Sequence, residues 1–209
     1  MARTRAFDTD EVVQAARDVF WTLGYDAAAM PDLERATGLG RSSLYNAFGS
    51  KRGLFDAAVL SYLDEVVRPR LAVLAAAPDG ATGLRCYFES IADAVLTGEG
   101  DQQRGCLLLT ASTGRSGQDA EVRAAVEAYR VEITAAFAAA LRRDLLREHG
   151  SGAAPEDDAA AGQDELVAER SRMLFAVLTA GMTLARINCG EAAATLRSAL
   201  RFTGPLASR

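Results

Sequence analysis

The tightest constraint on this chain is the stretch Gly38-Leu39-Gly40-Arg41-Ser42-Ser43-Leu44-Tyr45-Asn46-Ala47-Phe48-Gly49-Ser50-Lys51. Gly38 is free to take the left-handed backbone that ends a helix, and Leu39 offers the turn one apolar side chain. Leu44 and Phe48, four apart, share one helical face and point back toward Leu39. Arg41, Ser42, Tyr45 and Asn46 are left facing outward, with Ser43 at the margin. Two helices joined by so tight a turn read as a helix-turn-helix, whose second helix can enter a DNA major groove. The outward residue types suit that use. Arg reads guanine or holds phosphate, Asn pairs with adenine, and hydroxyls suit phosphates. A plain helical hairpin with a solvated outer face would show the same spacing, so the flanks decide.

Upstream, a short helix opens at Pro31, where the missing N–H costs nothing, and carries Leu33 and Ala36 on one face. Before it, Thr9 is a candidate cap for a helix whose first turn holds Asp10 and Glu11, favourable at the positive end of the helix dipole. Val12, Ala16, Val19, Phe20 and Leu23 repeat at three- and four-residue steps until Gly24. Three helices therefore occupy roughly residues 9–48, and Ser50 is placed to cap a fourth.

With Ala15-Ala16, Phe20, Gly24-Tyr25, Asp32-Leu33, Ala36, Gly38-Leu39, Ser43-Leu44-Tyr45, Phe48, Ser50-Lys51 and Leu54-Phe55 in place, residues 7–60 resemble the DNA-binding domain of the tetracycline-repressor (TetR) family of bacterial regulators. The resemblance implies that Tyr45 and Lys51 hold backbone phosphates. It also implies that Arg41, Ser42 and Asn46 face base edges or flanking phosphates, with Ser43 helping at the helix start. One departure stands out. Where the family carries Thr or Ser before its second helix, this chain reads Ala28-Ala29-Met30. Losing such a cap costs about 1 kcal/mol, which Asp32 can partly offset through the dipole.

The net charge of −5 runs against a nucleic-acid partner only if spread evenly. Residues 1–52 hold seven basic and seven acidic side chains, so the whole imbalance lies in the other 157. Affinity for DNA depends on local phosphate neutralisation. Lys51 is the only lysine. Arg3 and Arg5 could form a basic arm, though a solvated terminus is the plainer reading. No apolar run is long enough to cross a membrane and no signal-peptide core is visible, so a cytoplasmic location is expected. Three scattered cysteines (Cys86, Cys106, Cys189) and the single histidine, His149, argue against a metal site, a disulfide framework or a hydrolase, and no cofactor or enzymatic activity is expected.

The remainder reads as helices broken near Pro78-Asp79-Gly80, at residues 97–101 and at residues 150–162, the last expected to be a flexible loop. Pro69 is placed to kink or divide the helical pattern over 51–77. Gly105–Thr110 is a short apolar run with no strand to pair, hence a buried short helix. The last two helices, over 164–187 and 191–202, are apolar on more than one face, as interface helices are. The fold class expected is all-α: a helix-turn-helix DNA-binding domain over 1–50 and a larger helical ligand-binding and dimerisation domain over 51–209. The resemblance implies a homodimer through the last two helices, double-stranded operator DNA as partner, and a small-molecule effector of apolar or aromatic character. Candidate effector-lining residues are Tyr62, Phe88, Cys106, Leu109, Thr110, Tyr129 and Phe137, each of which could equally be ordinary core. The expected function is a ligand-responsive repressor of transcription. The alternatives are a regulator sensing oxidants or electrophiles through Cys106, and a helical protein-interaction module.

Overall fold

In the computed structural model of the protein, which describes residues 7–149 and 157–203, helices and turns account for every element, and no strand forms among the described residues. Helix α1 spans Thr9–Leu23. Its cap is Asp8 rather than Thr9: the Asp8 carboxylate accepts from the N–H groups of Asp10 at 2.9 Å and Glu11 at 3.4 Å. A carboxylate adds charge to the capping bond at the positive helix end, which favours Asp over the neighbouring hydroxyl. Helices α2 (Met30–Thr37), α3 (Arg41–Phe48) and α4 (Lys51–Tyr62) follow.

The chain then makes a wider π turn over Leu63–Val67 before α5 (Arg68–Ala76). Pro69 explains the change, since its ring would clash with the Glu65 carbonyl in a regular helix and it has no N–H to donate. Helix α6 (Gly80–Thr97) starts at Asp79, whose carboxylate accepts from Thr82 N–H at 2.7 Å. The apolar run expected as a short buried helix is α7 (Leu107–Ser112), with Leu107, Leu108 and Ala111 buried. Helices α8 (Ala120–His149), α9 (Asp157–Leu184) and α10 (Cys189–Ser198) complete the set. The flexible loop expected over 150–162 is shorter than that. Residues 150–156 lie outside the described residues, and α9 is already helical from Asp157. Two acidic residues at its start suit the positive end of the helix. Arg3 and Arg5 also lie outside the described residues, as does the side chain of His149.

The described residues fall into two compact units: those up to Val67 with Cys106–Ala124, and Arg68–Gly105 with those from Ala125 onward. In the first unit, Phe20, Trp21, Leu33, Leu44, Leu54 and Phe55 are almost fully buried. Phe20 meets Phe55 edge to face at 5.1 Å, and Trp21 meets Tyr62 at 4.9 Å. Such aromatic pairs add about 0.5–1.5 kcal/mol beyond the area they bury. In the second unit, α10 packs on α6 and α9. A Cβ at Gly181 would lie 2.5 Å from Leu196 Cγ, so glycine lets those two helices close.

The π turn is fastened to α1 by one carboxylate. Glu65 accepts from Arg17 Nη1 at 2.7 Å, from Gln14 Nε2 at 3.1 and 3.2 Å, and from Ser61 Oγ at 3.0 Å. Burial alone would raise its pKa, but the bonds from Arg17, Gln14 and Ser61 outweigh it and hold the carboxyl below the usual glutamate range. A depressed folded-state pKa contributes stability that is complete above the unfolded value and fades as pH falls through the folded one. Glu65→Gln should therefore lower the thermal midpoint near neutral pH, and its difference from wild type should shrink on acidification. Parallel thermal melts across an acid series check this; a constant difference at every pH would refute it.

Candidate nucleic-acid interface

The turn between α2 and α3 is built as its glycines require. Gly38 has φ 69° and ψ 8°, and its N–H returns to the Glu34 carbonyl at 3.0 Å. Leu44 is buried and Leu33 fully so, while Leu39 and Phe48 are half-buried, so α2 and α3 share one small apolar contact. Ala36, expected on the inner face, is exposed instead. It lies three residues after Leu33, at the rim of a two-turn helix.

The entry to α2 has no side-chain cap, as Ala28-Ala29-Met30 implies. Asp32 supplies half of a capping box: its Oδ2 accepts from Ala29 N–H at 3.2 Å. Alanine has no acceptor to complete the reciprocal bond. Asp32 also pairs with Arg35 at 3.2 Å. The expected compensation by Asp32 is thus a direct hydrogen bond as well as a dipole effect.

On α3, Arg41, Ser42, Ser43 and Asn46 are exposed and Tyr45 is half-exposed. The cap of α3 is Gly40, with no side-chain acceptor. Its carbonyl takes the N–H groups of Ser43 and Leu44 at 2.9 and 3.1 Å. The helix start is thus open at Arg41 and Ser42, an arrangement suited to phosphate. Arg41 and Tyr45 form one unit: Nη2 donates to Tyr45 Oη at 3.2 Å, and the guanidinium carbon lies 5.3 Å from the ring centroid. The stack fixes one edge of the guanidinium and leaves its other donors for an acceptor outside the protein.

Lys51 is placed differently from the others. Its ammonium donates to the Tyr25 carbonyl at 2.6 Å and lies 4.5 Å from the Tyr25 ring centroid. Burial lowers its pKa, against the pull of Asp26. An ammonium has three donors, so one bond to Tyr25 still leaves capacity for a phosphate. Tyr25 is the residue whose role the sequence concealed. Its ring also contacts Phe55 at 4.9 Å, so it anchors the Lys51 stem to the aromatic core. An aromatic residue directly after a helix-ending glycine was the available signal.

The seven candidate effector residues do not form one group. Tyr62, Cys106, Leu109 and Thr110 belong to the first unit, Phe88, Tyr129 and Phe137 to the second. Phe88 and Phe137 pack against each other at 5.6 Å and both contact Tyr87, while Tyr129 contacts Phe175 at 6.1 Å. Tyr62 pairs with Trp21, and Thr110 Oγ1 donates to the Cys106 carbonyl at 2.9 Å. Cys106 is 2% exposed, a poor setting for a reactive thiol, which needs access and an electropositive surrounding.

Comparison with known proteins agrees with this geometry. A sequence profile of bacterial regulatory proteins of the tetR family matches residues 12–58. The transcriptional repressor ComR of Escherichia coli (strain K12) is 31% identical over 121 residues, which is 57% of this chain and 57% of its own. The uncharacterized regulator YezE of Bacillus subtilis (strain 168) is 44% identical over 64 residues, 31% of this chain and 33% of its own. The chain thus spans little more than half of ComR and a third of YezE. Among solved structures, the TetR-family regulator CifR, a cysteine mutant complexed with 26-bp double-strand operator DNA, is 33% identical with a TM-score of 0.75. That alignment covers 95% of this chain and 98% of the CifR chain.

Proposed function

The chain belongs to the TetR family of bacterial transcriptional regulators, and from that premise we propose that it is a homodimeric repressor of a palindromic operator, released by a small molecule. The observation that carries the reading is the outer face of α3. Arg41, Ser42, Ser43 and Asn46 are exposed on a helix whose opposite side, Leu44, is buried in the first unit. A surface helix with that polarity and an uncapped start suits the major groove. The operator duplex bound by CifR supports the choice of partner.

In this reading residues 1–50 bind DNA, and residues 51–209 dimerise and take the effector. Two copies of α3 about one DNA turn apart read a palindrome, and tethering them makes one strong site of two weak ones. An effector works by differential affinity: it favours a conformer whose recognition helices are wrongly spaced, and operator affinity falls by the same factor. The aromatic residues Phe88, Tyr129 and Phe137 support an apolar or aromatic effector. A cytoplasmic location goes with this function. Among the described residues no helix is long and apolar enough to cross a membrane.

A gel shift with DNA from upstream of its own gene tests the proposal. A salt-sensitive, sequence-selective shift is expected, and none would overturn it. Within it, Lys51→Ala should weaken binding to every sequence and reduce the slope of log affinity against log salt by about 0.9. Asn46→Ala should leave that slope intact and relax preference at one operator position, at a cost of about 1–3 kcal/mol. The reverse pattern would exchange the two assignments. Alkylation mapping decides the thiol alternative, and an unmodified Cys106 in native protein ends it.

A further inference from the structure

We infer that Arg52 is a positioning residue for DNA binding: it ties the first turn of α4, and through it the recognition helix α3, to the N-cap of α8. The inference rests on the DNA-binding reading above. Arg52 follows Lys51 directly, and its side chain is 20% exposed. Its three nitrogens go to three carboxylates. Nε donates to Asp56 at 2.7 Å, Nη1 to Asp119 at 2.9 Å, and Nη2 lies 3.3 Å from Glu121.

Asp119 carries the argument further. The same Oδ1 that takes Arg52 also accepts from Glu121 N–H at 2.9 Å and Val122 N–H at 3.2 Å, the first turn of α8. One oxygen therefore joins the start of α4 to the start of α8, 67 residues apart in sequence. Burial works against the Arg52 charge, but the bonds from Asp56 and Asp119 outweigh it and keep its pKa raised.

The step from α4 to α3 is equally direct. A Cβ at Gly53 would fall on the Phe48 carbonyl oxygen, so the first turn of α4 abuts the last residue of α3. Whatever holds that turn in place also sets the height of α3. A cation in the first turn of a helix is unfavourable for the dipole, so Arg52 is set there by its tertiary partners rather than by α4 itself. With its donors committed to carboxylates, Arg52 acts on DNA through position and contributes no phosphate contact. Pairs between partly exposed groups add little stability, so the effect is expected in binding more than in folding.

The test uses the full-length protein and the duplex that wild type selects from a randomised pool. Affinities are corrected for the active fraction, measured by titration at saturating DNA. Arg52→Ala is expected to weaken binding roughly tenfold. Asp119→Ser keeps a good N-cap for α8 but removes the carboxylate, and should weaken binding comparably. The double variant should be no weaker than the worse single one, as coupled residues behave. The salt slope should stay at the wild-type value in all three. A slope reduced by about 0.9 in Arg52→Ala would make Arg52 a phosphate ligand and overturn the inference. So would wild-type affinity in either single variant, or additive losses in the double. A change confined to the active fraction or thermal midpoint would reduce Arg52 to a stabilising residue and overturn it too. Failure of wild type to select any duplex would instead overturn the parent reading.

Discussion

Gly53→Ala is expected to cost the protein both stability and operator binding, although alanine is normally the better helix former. A methyl group there would land on the Phe48 carbonyl oxygen and 3.2 Å from its carbonyl carbon. The obstacle is main chain, so no rotamer change relieves it. Either the end of α3 or the start of α4 must shift. The capping bond from Gly53 N–H to Ser50 Oγ at 3.0 Å lies in the same turn and is strained with it. Overpacking of this kind costs about 1–3 kcal/mol. Ser50→Ala removes only the cap, at about 1 kcal/mol, and leaves the backbone contact untouched. Thermal melts should therefore rank Gly53→Ala below Ser50→Ala. Gel shifts at a temperature where both are folded should show the greater loss for Gly53→Ala. Binding by Gly53→Ala equal to wild type would show that α3 tolerates displacement of its C-terminal end.

That residue also marks where sequence reading stopped. Phe20, Leu33, Leu44 and Phe55 were legible because helical spacing puts them on inner faces, and all four are buried. The turn at Gly38 was legible because only a few residues tolerate its positive φ. The cap of α1 was misplaced by one position, Thr9 for Asp8, since both residues can accept and only geometry selects between them. The π turn at Leu63–Val67 was hidden because Pro69 announces an interruption without fixing its form.

The site divides the same way. The exposed residues of α3 could be named from spacing, because a two-turn helix with one buried leucine has only one outer face. The roles of Tyr25, Arg52 and Gly53 could not, because each depends on a neighbour brought close only by folding. Lys51 meets Tyr25 across 26 positions and Arg52 meets Asp119 across 67. Local oddities were the only available traces: a glycine inside a helical run and a cation in a first turn.

Ala180→Glu is expected to separate the proposed dimer and to reduce operator affinity by about 10²–10⁴-fold, the range by which tethering two sites exceeds one. Along α9, Met173, Ala176 and Ala180 are exposed, the half-buried Val177 and Leu184 flank them, and Ile187 just beyond is 78% exposed. Their spacing of three and four makes one apolar stripe. The inner face of α9 is already occupied: Leu174, Leu178 and Gly181 are buried, the last against Leu196 of α10. The stripe is therefore surplus to the fold of one protomer, and a second copy is the partner proposed for it. Small residues at 176 and 180 would let two helices approach closely, and in a two-fold interface each substitution is present twice. Glutamate at an exposed helical position costs little in the protomer, since its helix propensity is near that of the best formers. Sedimentation should show a monomer whose thermal unfolding no longer depends on the dimer equilibrium, together with the loss of tight operator binding. A dimeric Ala180→Glu protein with undiminished affinity would place the interface elsewhere on the surface.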